Sequence, residues 1–101
     1  MTPEEKRQYC KELGYSALYA EYWVKHPGCE YPGCGVPSEP PHHVRTRKAG
    51  GTDSPGNLIA YCLRHHRMAH TRGDLQMGRQ SPNLEAKIAR AKGIKSCVRV
   101  W

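Results

Sequence analysis

Phenylalanine is absent from this 101-residue chain, and hydrophobic residues make up only 38% of it. A domain of this length buries about two-thirds of the surface that its unfolded chain exposes, so the apolar core is small. We therefore expect an additional source of stability, such as a bound metal ion. The length fits one domain over residues 1–101 and leaves little room for a second.

The sequence also has no long apolar run. No stretch approaches the roughly 18 to 20 apolar residues of a membrane-spanning helix. The first residues, Met1-Thr2-Pro3-Glu4-Glu5, lack the apolar segment of a signal peptide. We therefore expect a soluble, cytoplasmic protein with no membrane partner.

Acidic residues are scarce relative to basic ones. The chain has 16 Lys and Arg residues against 9 Asp and Glu, which gives a formal net charge of +7. Such an excess favours polyanionic partners such as DNA or RNA. Charge alone is weak evidence, because basic residues usually form a solvated face.

Local signals predict four helices. Thr2, Pro3 and Glu5 form a capping box with proline at the first helical position, which predicts a helix over residues 3–13. A second helix follows Ser16 and completes an N-terminal helical segment, residues 1–26. Two more are expected over residues 63–71 and, after Ser81 as N-cap, over residues 82–93.

Aromatic residues recur at helical spacing along the second helix, at Tyr15, Tyr19, Tyr22 and Trp23. Core packing is the preferred interpretation, because the stripe lies far in sequence from the basic loop described below. A base-stacking surface is the alternative.

Short apolar segments predict a hairpin in the middle of the chain. Residues 42–44 and 58–61 are candidates for antiparallel strands, and residues 94–101 for a short closing strand. Residues 45–56 between the first two form a long basic loop, and loops of about twelve residues in compact domains tend to be functional.

Cysteines are odd in number, at five, which favours metal ligands or free thiols over a disulfide framework. Cys29-x4-Cys34 and Cys62-x2-His65 are two pairs at zinc-ligand spacing. They predict a structural zinc that ties the proline-rich residues 27–41 to the following helix, the alternative being four unrelated loop residues.

Cys10 and Cys97 have no partner at metal spacing, and we interpret them as buried or half-buried thiols with no assigned role.

Five of the six histidines fall in one short segment. On a helix, residues four apart share a face, so His66 and His70 can chelate one ion, while His65 is rotated by about 100° and can face the zinc. On an extended segment, successive side chains point to opposite faces. If His42 turns toward the ion, His43 is therefore left free to act as a base.

This segment resembles the HNH endonucleases, whose site is a ββα-metal hairpin and helix. The resemblance covers residues 41–72 with two cysteines upstream, and it implies an α+β fold with a zinc-tied core over residues 29–72 and flanking helices, including one over residues 81–93. The matching positions are His42-His43, Gly50-Gly51, Asn57-Leu58, Cys62, His65, His66 and His70, with Cys29 and Cys34.

The resemblance implies a role for each site residue. His43 is the general base, and His42, His66 and His70 hold one catalytic divalent ion, which can be Mg, Mn, Ni, Co or Zn. Asn57 braces the loop that holds the base, the alternative being a simple turn residue. Members of the family hydrolyse DNA phosphodiester bonds and leave a 5′-phosphate and a 3′-hydroxyl.

Two positions depart from the common family pattern. Many members have Asp at the position of His42, and the histidine resembles the three-histidine version of the nuclease colicins. This leaves the metal open, because imidazoles favour zinc, nickel, cobalt or copper over magnesium. Many members have a second Cys at the position of His65, and three thiolates with one imidazole still form an ordinary structural zinc site.

The predicted partner is double-stranded DNA, nicked or cut with little sequence preference. A non-catalytic zinc-stabilised nucleic-acid-binding module, or an accessory subunit of a phage DNA-processing or packaging complex, is the alternative. The sequence does not determine the oligomeric state. Basic residues expected to contact phosphate, rather than to form a merely solvated surface, are Arg45, Arg47, Lys48, Arg67 and Arg72, with Arg64 beside them.

Overall fold

A computed structural model describes residues 1–79 and 81–93 of the chain. This part forms an α+β fold, as predicted, with five α-helices and one two-stranded antiparallel sheet. The predicted strand over residues 94–101, with Cys97, lies outside the described residues. The elements are α1 (Pro3–Glu12), α2 (Ala17–Lys25), β1 (His42–His43), β2 (Leu58–Ile59), α3 (Leu63–Arg72), α4 (Asp74–Gly78) and α5 (Pro82–Ala91).

The two N-terminal helices begin where their caps predict. The Glu5 amide donates to Thr2 Oγ1 at 3.1 Å and the Thr2 amide donates to Glu5 Oε1 at 2.9 Å, which confirms the capping box. Ser16 Oγ accepts from the Tyr19 amide at 3.3 Å and caps α2. The aromatic stripe of α2 packs inward at Tyr19 and Trp23, whose exposed fractions are 2% and 3%.

The hairpin lies between two hydrophobic clusters. His42 pairs with Ile59, and His43 pairs with Leu58. Leu58 packs in the cluster formed with α1 and α2, whereas Ile59 packs in the cluster formed with α3, α4 and α5. Because strand side chains alternate, both faces of β2 are buried, and β1 presents its two histidines to opposite sides.

The described part of the second half of the chain holds one α-helix that the sequence did not predict, besides a short 3-10 helix over Pro55–Asn57. The segment α3 ends one residue beyond the predicted boundary, and α5 begins at Pro82 as expected, although the Ser81 side chain makes no capping hydrogen bond. The unpredicted α4 begins after Gly73, which has a φ of 87°. Its Met77 is 2% exposed and joins the cluster around Ile59. A helix of five residues is too short to show a periodic apolar pattern.

Candidate functional site

Three cysteines and one histidine form the first candidate metal site. Ligand atoms of Cys29, Cys34, Cys62 and His65 all lie within 4.8 Å of one another. Cys34 Sγ is 3.9 Å from Cys62 Sγ, and His65 Nδ1 is 3.4 Å from Cys29 Sγ and 3.2 Å from Cys62 Sγ. Tetrahedral ligands at about 2.3 Å from zinc are about 3.7 Å apart. This group can therefore hold a structural metal such as zinc.

Local structure explains how the four ligands meet. Cys62 is the residue before α3, and His65 lies in the first turn of that helix. Cys29 is held by a short bridge in the proline-rich loop, where its amide donates to the Val36 carbonyl at 2.7 Å. The Tyr31 ring stacks on His65 with 4.1 Å between ring centres. The site thus joins a loop with little regular structure to the start of α3.

The environment of this group acts differently on its members: it favours the metal-binding form at Cys62 and His65 and the protonated thiol at Cys29. Burial raises the pKa of the Cys29 thiol to about 11. At Cys62 burial also acts to raise the pKa, but the amide of His65, the neighbouring thiols and the amide of Arg64 outweigh it, and the pKa is lowered. Because the thiolate is the metal ligand, Cys62 is the readier donor. Burial, with the Arg64 charge, lowers the pKa of His65 and keeps the imidazole neutral.

Three histidines form the second candidate metal site. Ligand atoms of His42, His66 and His70 lie within 4.8 Å of one another. His66 and His70 are one turn apart on α3, and their Nε2 atoms are 3.1 Å apart. The His42 ring, on β1, has its centre 5.2 Å from that of His66 and 5.3 Å from that of His70. Burial lowers the pKa of His66, which favours the neutral, ligating form.

Carboxylates fix the orientation of two of these rings. Asp74 Oδ1 is 2.8 Å from His42 Nε2, and Glu39 Oε1 is 3.2 Å from His66 Nδ1. Because a carboxylate can only accept, these ring nitrogens carry hydrogen, and in the neutral rings the lone pairs belong to His42 Nδ1 and to His66 Nε2, the nitrogen that faces His70. Metal-ligating histidines usually have such a partner on the other ring nitrogen. The donor set therefore fits a divalent transition metal.

His43 lies on the other side of the hairpin, with different partners. Its Nε2 donates to Asp53 Oδ1 at 2.7 Å, and Ser16 Oγ donates to Asp53 Oδ2 at 2.6 Å. Burial acts to raise the pKa of Asp53, but the hydrogen bonds from His43 and Ser16 outweigh it, so the pKa is lowered and the carboxyl is ionised at neutral pH. The Tyr19 ring stacks on His43 at 5.2 Å. This arrangement leaves His43 Nδ1 as the ring nitrogen with a free lone pair.

Asn57 makes three hydrogen bonds across the base of the loop between the strands. Its Oδ1 accepts from the Arg45 amide at 2.8 Å, and its Nδ2 donates to the Arg45 carbonyl at 2.9 Å and the Thr52 carbonyl at 2.8 Å. These hydrogen bonds join the two ends of the loop, which is the kind of contact that the predicted bracing role requires. Gly51 packs so closely that a Cβ there would lie 1.7 Å from the Arg45 carbonyl oxygen. Gly51 thus serves chain packing in this loop, whereas Gly50 has a φ of 88°, a backbone conformation that favours glycine.

The sequence did not reveal three carboxylates: Glu39, Asp53 and Asp74. They lie 27, 10 and 32 residues from the histidines they contact, so no local spacing marks them. Metal-ligating histidines usually have a hydrogen-bond partner on the second ring nitrogen. The histidine pattern therefore predicts that such partners exist, but it does not predict which residues they are.

His42, His66 and His70, the three residues called the metal triad below, open together with His43 onto one cleft of about 540 Å³. Arg47 and Lys48, two of the residues predicted to contact phosphate, line this cleft. Arg45 instead lines a neighbouring cavity of about 310 Å³, beside Gly51. Side chains of Arg64, Arg67 and Arg72 are exposed on α3. Aromatic residues form another wall of the cleft: Tyr9, Tyr15 and Tyr19.

Comparison of the chain with models of protein families, with curated proteins and with solved structures found no match. Among residues 1–79 and 81–93, no helix is both long and apolar enough to cross a membrane. A functional assignment therefore depends on the two ligand groups, the paired His43 and the cleft.

Proposed function

We propose that this protein is a metal-dependent endonuclease of the HNH type that hydrolyses DNA phosphodiester bonds. The observation that carries the proposal is that the two adjacent histidines of β1 have different partners. His42 meets His66 and His70 on one side of the hairpin, while the adjacent His43 meets the Asp53 carboxylate on the other side. The order of two paired strands followed by α3 supports the same proposal, because it is the order of a ββα-metal site.

His42, His66 and His70 would hold a divalent ion, which would supply Lewis-acid stabilisation of the charge on the scissile phosphate and the leaving oxygen. His43 Nδ1 takes the proton of the attacking water, and Asp53 holds the ring in the tautomer that makes this possible. The water oxygen bonds to phosphorus as the bond to the 3′ oxygen breaks. The leaving oxygen takes a proton from solvent, which gives a 5′-phosphate and a 3′-hydroxyl.

Other residues hold the substrate and the loop. Arg47 and Lys48 line the same cleft as His43 and are suited to contact phosphate oxygens, which fixes the strand without reading its sequence. Asn57 keeps the loop between the strands closed. Cys29, Cys34, Cys62 and His65 would hold zinc as four protein ligands, which would tie the preceding loop to α3 and serve structure, not chemistry.

A non-catalytic zinc-stabilised module is the second candidate, favoured by the completeness of the cysteine site on its own. That function leaves the triad and the pairing of His43 with Asp53 without a role, so we rank it lower. Membership of a larger DNA-processing complex stays a prediction.

Plasmid nicking tests the proposal. Purified protein is expected to nick supercoiled plasmid with at least one of magnesium, manganese, nickel, cobalt or zinc, and to stop when chelator is added. His43→Ala is expected to abolish nicking and to keep the wild-type metal content and circular dichroism spectrum, because His43 activates water but binds no metal.

His26→Ala provides the matched control for a lost imidazole. His26 lies at the end of α2, stacks on Tyr22 and takes no part in either ligand group, so this variant should nick at the wild-type rate. The proposal fails if the wild type leaves plasmid intact with every metal, or if His43→Ala nicks as fast as the wild type.

A further inference from the structure

Three rings stack in sequence beside the cleft. The centres of the Tyr15 and Tyr19 rings are 4.1 Å apart with planes 15° apart, and those of Tyr19 and His43 are 5.2 Å apart with planes 13° apart. Tyr19 is buried between its two neighbours, with 2% of its surface exposed. Tyr15 is partly exposed and lines the cleft. The stack that contains His43 therefore ends in the cleft at an aromatic ring.

A basic side chain lies over that terminal ring. The guanidinium carbon of Arg47 is 5.9 Å from the centre of the Tyr15 ring. A flat group sandwiched between two partners needs about 7 Å, with contacts of about 3.5 Å on each side. The present gap is near that width, and Arg47 is exposed on a loop. A small outward movement of its side chain therefore makes room for a base.

The rest of the cleft fits a polyanionic strand. Lys48 and Thr46 lie beside Arg47, and a further ring, Tyr9, is 41% exposed along the same cleft. One carboxylate, Glu39, also lines it, but this group pairs with His66 at 3.2 Å. Positive side chains interleaved with aromatic rings are the recurring features of surfaces that bind single-stranded nucleic acid.

We propose that this cleft binds an unpaired strand of DNA, with one base stacked between Tyr15 and Arg47. Bases in a duplex already stack on their neighbours, so only an unpaired base can offer its face to Tyr15. The strand then continues past His43 and the metal triad, which line the same cleft. This inference rests on the proposed nuclease function for the identity of the polymer, DNA. It adds that the DNA segment in the cleft is single-stranded or locally unpaired.

Binding of defined oligonucleotides tests the proposal without any cleavage step. The protein carries one equivalent of zinc per chain and no other divalent metal, and fluorescence anisotropy reports binding. Probes are a labelled oligothymidylate, a strand of equal length made of abasic residues, and a hairpin duplex whose loop is made of abasic residues, so that all its bases are paired. Tyr15→Ala should weaken binding of oligothymidylate by about five-fold or more, the loss of one base–aromatic contact. Binding of the abasic strand should change by less than about two-fold, because that strand has no base to stack.

Two further variants control for the fold. Tyr15→Trp retains an aromatic face and should bind oligothymidylate at least as well as the wild type. Leu18→Ala removes an exposed side chain of α2, 60% accessible and outside the cleft, and should bind every probe normally.

The outcomes separate this inference from the nuclease proposal. Equal weakening of both strands by Tyr15→Ala, equal weakening of the hairpin duplex, or no weakening at all would overturn base stacking, whatever the plasmid assay gives. If Tyr15→Ala weakens binding of oligothymidylate but not of the abasic strand, and the wild-type protein nicks no plasmid, the base-stacking proposal is supported and the nuclease proposal is rejected.

Discussion

At the scale of single residues, chemically identical histidines differ because their partners differ. His65 meets thiol sulfurs, His42 meets Asp74, and His43 meets Asp53. A carboxylate on one ring nitrogen determines which nitrogen keeps its lone pair and where that lone pair points. Adjacent residues on one strand thereby receive different tasks under the proposed mechanism.

Replacement of Asp53 tests the proposed positioning of the base. In Asp53→Asn the side chain keeps its shape, and the amide oxygen can still accept from His43, but the negative charge that stabilises the protonated imidazole is lost. We expect the single-turnover nicking rate to fall by about tenfold or more, a part of the 10²–10⁴ that a positioned base contributes. The Kd for DNA, measured in the absence of cleavage, should stay unchanged.

Ser16→Ala is the comparison for this variant. It removes the hydrogen bond to the far oxygen of Asp53 and the cap of α2, which costs about 1 kcal/mol of stability, but it keeps the carboxylate on His43. Its nicking rate should lie between those of the wild type and Asp53→Asn. A nicking rate for Asp53→Asn equal to that of the wild type would remove Asp53 from the mechanism.

At the scale of elements, the segment before β1 has almost no regular structure. Residues 26–41 contain one isolated bridge, between Gly28 and Pro37, and no helix or strand. Two of the four cysteine-site ligands lie in this segment, and the other two lie at the start of α3. A metal bound by these four ligands would therefore attach this segment to α3 more firmly than the packing of Cys29 in the small apolar core does alone.

Cysteine substitutions test this attachment. Cys34→Ser should reduce bound zinc well below the one equivalent expected per chain and lower the melting temperature, because metal binding to such a site is coupled to folding. Each 1 kcal/mol lost corresponds to about 4–8 °C in a domain of this size. Metal analysis and thermal denaturation measure both effects.

Cys10→Ala is the matched control. Cys10 is completely buried between the N-terminal helices and lies outside both ligand groups, so this variant should keep its zinc even if it loses some stability. Equal zinc content in Cys34→Ser and the wild type would contradict the assignment of the site.

At the scale of the whole molecule, the hairpin separates two hydrophobic clusters, and the chain carries a net charge of +7. Charges are not equivalent over this surface. Arg7 is neutralised by Glu4 and Glu21, at 3.1 Å and 2.7 Å, whereas Arg47 lines the cleft. Attraction for DNA should therefore come from the cleft more than from the total charge.

The salt dependence of DNA binding tests this difference. Each phosphate contact contributes about 0.7–0.9 to the slope of log K against log salt concentration. Lys48→Ala, which removes a charge that lines the cleft beside Arg47, should reduce that slope by about one contact, and Arg7→Ala should leave it unchanged. Equal effects of the two substitutions would indicate attraction by net charge without a defined site.

Local signals in the sequence predicted much of the fold. The capping box at Thr2, the cap at Ser16 and the proline at residue 82 predicted helix starts within a residue, because each acts on backbone groups a few positions away. The short α4 offered no such pattern. Helical spacing groups Tyr15 with the core aromatics, and the structure packs it against the N-terminal cluster while leaving it partly exposed at the cleft.

The sequence by itself determined the ligand pairs and the alternation of His42 and His43, since helix and strand geometry fix the directions of nearby side chains. Only the tertiary structure decided which groups stand behind the histidines and which rings line the cleft. Asp53, Asp74 and Tyr15 reach the site through packing of distant segments. No spacing along the chain encodes such contacts, because they depend on how α2, α3 and α4 pack around the hairpin.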